Sequence, residues 1–251
     1  MAIHPTAIVH DSAELAADVQ VGPYTIIESG VRIGAGTRID SHCRIYSGVQ
    51  IGAGAELFTG VVLGSPPQDL KYRGEKTQVY IGDHTKLREY VTVNAGTAAS
   101  GLTHIGRHCM LMAYVHVAHD CQIGDEVILA NGVQMGGHVR IGSYAILSGM
   151  TGIHQFSTIG EGVFIGGGLR VARDVPPFSK ALGEPLVWAG VNCPALVKRG
   201  WETSAPELKK FYREFRRDRQ QWPAALGALH NSVIAGFLKT FFESHTRPLL
   251  I

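Results

Sequence analysis

Aliphatic residues recur at every sixth position along this 251-residue chain. The series starts at Ile3 and runs through Val9, Leu15, Val21, Ile27, Ile33, Ile39, Ile45, Ile51 and Leu57 to Leu63. It resumes at Ile81, Leu87 and Val93, and again from Ile105 without a break to Val171. A period of six fits neither a 3.6-residue helix nor two-residue alternation. It fits a short strand and a turn, repeated. A longer period lies over it: Gly34, Gly52, Gly106, Gly124, Gly142 and Gly160 each follow an aliphatic residue and are separated by multiples of eighteen. Three hexads therefore close one coil of a three-faced prism, and coils must stack to bury their apolar edges. The expected fold is mainly β, a left-handed parallel β-helix of hexapeptide repeats. Glycines and Asn131 are expected where corners need φ > 0 or a close backbone approach.

Two interruptions break the register, at 64–78 (GSPPQDLKYRGEKTQ) and 94–104 (NAGTAASGLTH). Both are polar and contain Gly or Pro, so they are expected to leave the prism as loops. The register ends at Asp174-Val175-Pro176-Pro177, so the prism is assigned to 1–175 and 176–200 to an irregular connecting segment. Residues 201–251 read as a small helical C-terminal domain. Thr203 or Ser204 can cap a helix with Pro206 in its first turn, and Leu208, Phe211, Tyr212 and Phe215 form its apolar stripe. Pro223 should break that helix, and Leu226, Leu229, Val233, Phe237, Leu238 and Phe241 mark another.

Composition excludes several classes. Apolar residues make up 45% and charged residues 18%, which excludes disorder, and a net charge of +2 gives no field for nucleic acid. There is no signal-like leader and no long charge-free apolar run for a bilayer. Four cysteines without CxxC spacing make neither a disulfide framework nor a zinc site. Cys43, Cys109 and Cys121 read as core residues of a reduced cytoplasmic protein.

Chemistry is concentrated in the later coils, where His104, His108, His116, His119, His138 and His154 cluster. A stride of eighteen puts Gly137 one coil above His119 and Gln155 one coil above that, with His138 and His154 near the same corner. A general base, a glycine amide and polar contacts would then form one column beside two loops.

The segments QDLKY (68–72), HVAHDC (116–121), GGHV (136–139), HQF (154–156) and DVPP (174–177), in this order, resemble the UDP-N-acetylglucosamine 3-O-acyltransferases of lipid A biosynthesis. The resemblance spans the prism, both loops and the helical end. It implies transfer of an (R)-3-hydroxyacyl group from acyl carrier protein to the glucosamine 3-hydroxyl, with no cofactor and no metal. It makes His119 the general base, a role suited to an imidazole near neutral pH, with Asp120 orienting it and the Gly137 amide as oxyanion donor. Asp69 and Lys71 would hold sugar and acyl donor. His116, His138, His154 and Gln155 would contact the sugar and acyl amide, and Asn192, Lys198 and Arg199 the uridine and phosphates. Gly167 would leave the acyl groove open to long chains. Basic Arg213, Arg216 and Arg217 would dock the acidic carrier protein, the alternative being a solvated helix face. A homotrimer with sites between subunits is also implied.

Three positions depart from the family pattern: Asn94-Ala95 replaces His-Arg before Gly96-Thr97, Pro194 replaces an acidic residue, and Lys198 an arginine. These leave open a 3-amino-sugar acceptor or a divergent relative. Sugar-nucleotide N-acyltransferases of this architecture are a further reading, although they usually carry a separate N-terminal domain. Two more remote readings remain, a zinc-dependent β-helical carbonic anhydrase and a non-catalytic scaffold. Stoichiometric zinc would favour the first, and an inconsequential His119→Ala the second.

Overall fold

Each hexad folds as a two-residue strand followed by a turn, because an exposed first residue alternates with an inward aliphatic second one, as in Arg32-Ile33 and Arg38-Ile39. The computed structural model describes residues 2–251. Strands stack into three sheets of 11, 9 and 8 strands, which form the prism faces and are parallel except for one pair at the end of the largest. The eighteen-residue stride appears directly in the register: Ile105 pairs with Ile123, and Ile123 with Ile141. Across the first loop the partners are Val49 and Val79, and across the second Lys86 and Met110, so both insertions leave the stack unbroken. The inward aliphatics form one continuous buried column, from Val21 through Ile81 and Leu111 to Val171. Burying each such side chain contributes about 1.5–3 kcal/mol.

The glycines at the eighteen-residue stride, from Gly34 to Gly160, belong to the close-approach class. A Cβ on Gly106 would lie 2.6 Å from the carbonyl carbon of Gly124 in the next coil. Asn131 meets the close-approach alternative, since a Cβ on Gly149 would lie 3.1 Å from its carbonyl oxygen, while its neighbour Gly132 takes the left-handed conformation, with φ 69°. The left-handed position is the second residue of each turn, and Asn131 is the first. Side chains also occupy that position elsewhere, including Asp120, His138 and Phe156 at φ 60°, 61° and 64°.

The loops are shorter than their sequence boundaries. Strands extend through Val62–Ser65 and begin again at Gln78–Ile81, and Thr92–Asn94 is followed by Leu102–Ile105. Backbone pairing to neighbouring coils claims those ends. The segment 176–200 is not irregular. Ser179–Leu182 and Val187–Val191 form an antiparallel pair that adds two strands to the largest sheet, and helix α1 (Cys193–Lys198) follows. The hexad signal stops there because the pairing changes from parallel coils to a hairpin.

Helix α2 (Ala205–Arg217) buries Leu208, Phe211, Tyr212 and Phe215, the stripe read from sequence. Ser204 stands at its N-cap without making a side-chain capping bond, and Pro206 lies in its first turn. The helix stops at Asp218, ahead of Pro223, which instead lies in the first turn of α3 (Trp222–Leu226). Asp218 ends the helix by turning extended and accepting the amide of Gln220. The expected second helix is thus two, with α4 (Ser232–Ser244) capped by the Asn231 side chain. Its buried face is Ile234, Leu238, Phe241 and Phe242, whereas Val233 is exposed. These aromatics pack around Phe178, and the Tyr212 hydroxyl donates to the Pro177 carbonyl, joining helices to the end of the prism. No helix among the described residues is long and apolar enough to cross a membrane.

Candidate active site

The strand His116–Val117 leads into a corner at Ala118, where the chain turns through His119 and Asp120. The same corner one coil on carries Gly137 and His138, and the next carries Gln155 and Phe156. The His119 ring lies against the backbone of Gly137: a Cβ there would stand 2.4 Å from Cε1 and 2.5 Å from Nε2. Only glycine leaves room for the imidazole. The Gly137 amide has no hydrogen-bond acceptor among the described residues, while its carbonyl accepts the Phe156 amide at 3.0 Å.

Nδ1 of His119 lies 2.8 Å from Oδ2 of Asp120. That carboxyl is buried, and Thr97 donates to it through its amide (3.0 Å) and its hydroxyl (2.7 Å). Ser100 adds a further hydroxyl donor. Burial alone would push the carboxyl up, but hydrogen bonds from Ser100, His119 and Thr97 outweigh it and hold the group at about 2. Asp120 is therefore a carboxylate at neutral pH. It accepts the Nδ1 proton of His119, leaving the Nε2 lone pair toward Gly137.

His138 meets His119 edge-on at 5.1 Å and stacks on Phe156 at 4.5 Å. Burial pushes its imidazole down, with Asp120 and, more weakly, Asp69 opposing. His116 is also pushed down, by burial and then by His119, and its Nδ1 is 2.8 Å from the Thr92 hydroxyl. His154 and the exposed Gln155 complete the corner. A cleft of about 280 Å³ opens beside it, lined by Ser100, Asp120, His138, Arg140, Phe156 and Thr158 among others.

Asp69 approaches this corner closely enough to act on His138, and the remaining predicted residues lie elsewhere. Asp69 and Lys71 sit in the first loop, where the Asp69 carboxylate accepts the Lys71 amide. His104 stacks on Tyr80 and His108 on His84, both away from His119. Asn192 is buried and donates to the Gly162 carbonyl at 2.8 Å. Arg199 pairs with Glu126 at 2.7 Å and lies over the Tyr144 ring at 3.6 Å. Asn192 and Arg199 thus mark a second corner, and Lys198 ends the helix joining them. The strands Gln122–Ile123, Arg140–Ile141 and Thr158–Ile159 separate it from His119. Gly167 lies at the third corner, next to Gly149. Arg216 lies over Trp188 at 5.3 Å; Arg213 and Arg217 are exposed on the same helix.

Sequence reasoning missed Thr97, Ser100 and Thr103, whose hydroxyl accepts the Asp120 amide. The second loop's run of small hydroxyl residues was the available signal. The departures Asn94 and Ala95 are buried at the base of that loop, with Asn94 donating to Ser65, and neither lines the cleft. Pro194 occupies the first turn of α1, which suits proline.

His119, Asp120 and His138 offer donor atoms within 4.8 Å of one another, a spacing that a metal could use. Each Asp120 oxygen, however, already accepts two protein donors. A cation would have to displace them, so the donor set fits an oriented histidine better than a metal centre.

A stacked hexad prism with an oriented histidine facing a glycine amide defines the class of hexapeptide-repeat transferases. Residues 102–137 match the family described as bacterial transferase hexapeptide (six repeats). Relatives resolve the class further. The acyl-carrier-protein-dependent UDP-N-acetylglucosamine O-acyltransferase of Thiobacillus denitrificans is 50% identical over 86% of this chain and 84% of its own. That of Herminiimonas arsenicoxydans is 43% identical over 99% and 98%. The solved UDP-N-acetylglucosamine acyltransferase of Bacteroides fragilis superposes with a TM-score of 0.92 at 35% identity, covering 99% of this chain and 100% of that one. The chain belongs to the UDP-N-acetylglucosamine O-acyltransferase family.

Proposed function

We propose that the chain transfers an (R)-3-hydroxyacyl group from acyl carrier protein to the 3-hydroxyl of UDP-N-acetylglucosamine, the first step of lipid A biosynthesis, in the cytoplasm. The observation that carries the site assignment is the pairing of His119 with Asp120 on one side and Gly137 on the other. Nε2 of His119 takes the hydroxyl proton as the sugar oxygen attacks the thioester carbonyl. The resulting oxyanion meets the Gly137 amide, a donor worth roughly 3 kcal/mol to such a transition state. Collapse of the intermediate breaks the carbon–sulfur bond, and the leaving thiolate recovers the proton from the imidazolium. Asp120, held ionised, stabilises that imidazolium between the two steps.

The working unit is a homotrimer with sites between copies. Supporting this, Asn192, Lys198 and Arg199 lie on a different corner from His119, so a neighbouring copy is needed to bring a nucleotide-binding group to the base. The exposed ridge of Tyr90, Tyr114 and Met150 gives such a neighbour an apolar surface to cover. His116, His138, His154 and Gln155 contact the sugar and the acyl amide, and Asp69 and Lys71 hold the sugar and the acyl donor.

The test is an acyl-transfer assay crossing UDP-N-acetylglucosamine and its 3-amino analogue with carrier-bound 3-hydroxyacyl chains of several lengths. O-acylation of the first at higher kcat/KM is expected. Preference for the amino analogue would overturn the acceptor assignment.

A further inference from the structure

The C-terminal tail after α4 returns to the prism and is pinned there by Asp174, which is fully buried. One carboxylate oxygen of Asp174 accepts the amides of Thr246 (3.0 Å) and Arg247 (2.9 Å), and the other accepts the amide of Thr158. Its backbone bonds Pro248 and Leu250 in turn. This clamp delivers Arg247 to the candidate site across 93 positions of sequence, with Nη2 2.9 Å from Nδ1 of His154. Nη1 donates to the Ala172 carbonyl, which fixes the plane of the guanidinium.

The contact decides the chemistry of the imidazole. Arginine only donates, so Nδ1 of His154 must present its lone pair. The Gln155 carbonyl lies 3.1 Å from the same nitrogen and would accept an Nδ1 proton if one were there. A proton on Nδ1 would point at the cationic Nη2 group, so the charge-assisted bond prevails. The ring hydrogen is left on Nε2.

We infer that Arg247 is a positioning residue that locks His154 as an Nε2–H donor for an acceptor oxygen of the sugar substrate. The inference rests on the reading of His154 as an acceptor contact. A histidine of fixed tautomer offers one defined donor, whereas an unlocked ring divides its population between a donor and an acceptor at Nε2. The tail thereby couples the end of the chain to acceptor recognition without touching the reacting atoms.

The test compares Arg247→Met and Arg247→Lys in the full-length protein. Histidine-selective ¹⁵N NMR without substrates reads the tautomer, and steady-state kinetics read both substrates. The expected result for Arg247→Met is a mixed His154 tautomer, a UDP-sugar KM raised about twofold, because an even mixture halves the fraction of rings that can donate, and an unchanged KM for the acyl donor. Arg247→Lys, which restores a cationic donor, should recover most of both effects. An unchanged tautomer in Arg247→Met overturns the positioning role. A mixed tautomer with unchanged UDP-sugar KM overturns the acceptor-contact reading of His154. Equal damage to both KM values with no rescue by lysine shows a tail that serves only as a structural clamp, which also overturns the proposal.

Discussion

The imidazole of His119 fills the space that a side chain at position 137 would need: a Cβ on Gly137 would stand 2.4 Å from Cε1. Gly137→Ala is accordingly expected to push the ring off its line and move the amide donor with it. Transfer should fall by at least about 10²-fold, the scale of losing one oxyanion donor. Circular dichroism and thermal unfolding check that the prism survives. Near-wild-type turnover would show that the amide and ring are not used together.

His119→Ala removes the proposed base. Loss of general-base catalysis costs about 10²–10⁴-fold, and the coil should stay folded, because the inward aliphatics and not the imidazole form its core. Single-turnover transfer is the measurement. Activity within threefold of wild type would remove His119 from the mechanism.

Glu161 supplies a pH test of stability. Burial raises its carboxyl to about 7, and it has no ion pair among the described residues. Between the unfolded value near 4.5 and the folded value near 7 the native state binds more protons, so this group's stability contribution falls as pH rises through that window. Glu161→Gln should therefore gain roughly 1–3 kcal/mol over wild type at pH 8 and little at pH 4. Urea unfolding at the two pH values reads the difference, and an equal gain at both would discard burial as the cause.

Chain length is expected to respond to Gly167. A Cβ there meets the Gly149 carbonyl at 3.1 Å, so the corner is narrow and a long side chain must project outward. Gly167→Met should shift preference to shorter 3-hydroxyacyl donors, with about 0.8 kcal/mol lost per excluded methylene. A competition assay with mixed donors would show an unaltered profile if this corner does not border the acyl path.

Carrier docking is tested by reversing Arg216 and Arg217 to Glu together. Rim charges mainly steer encounter, so donor KM should rise severalfold while UDP-sugar KM holds, and wild-type donor KM should rise with salt. Arg216 also lies over Trp188, so a thermal scan must accompany the kinetics. Unchanged donor kinetics at low ionic strength would leave these arginines as a solvated helix face.

The prism was legible in the chain because its order is local and repetitive. Each inward aliphatic is one hexad from the next, and an eighteen-residue stride is enough to place Gly137 over His119. The same stride brought His138 and Gln155 to that corner. Periodicity failed where contacts stopped repeating. The hairpin of Ser179–Leu182 with Val187–Val191 is antiparallel, so hexad counting reads it as irregular. Helix α2 ends at Asp218 through a side-chain bond that no apolar stripe records. Asp120 carried its identity in the sequence, but its ionisation depends on Thr97 and Ser100 folding back from a loop. Arg247 reaches His154 only through the Asp174 clamp. Sequence alone determined the stacking, since burial of a periodic apolar edge leaves one solution. Tertiary structure decided the protonation and orientation of the site, because those depend on single hydrogen bonds between residues with no fixed spacing.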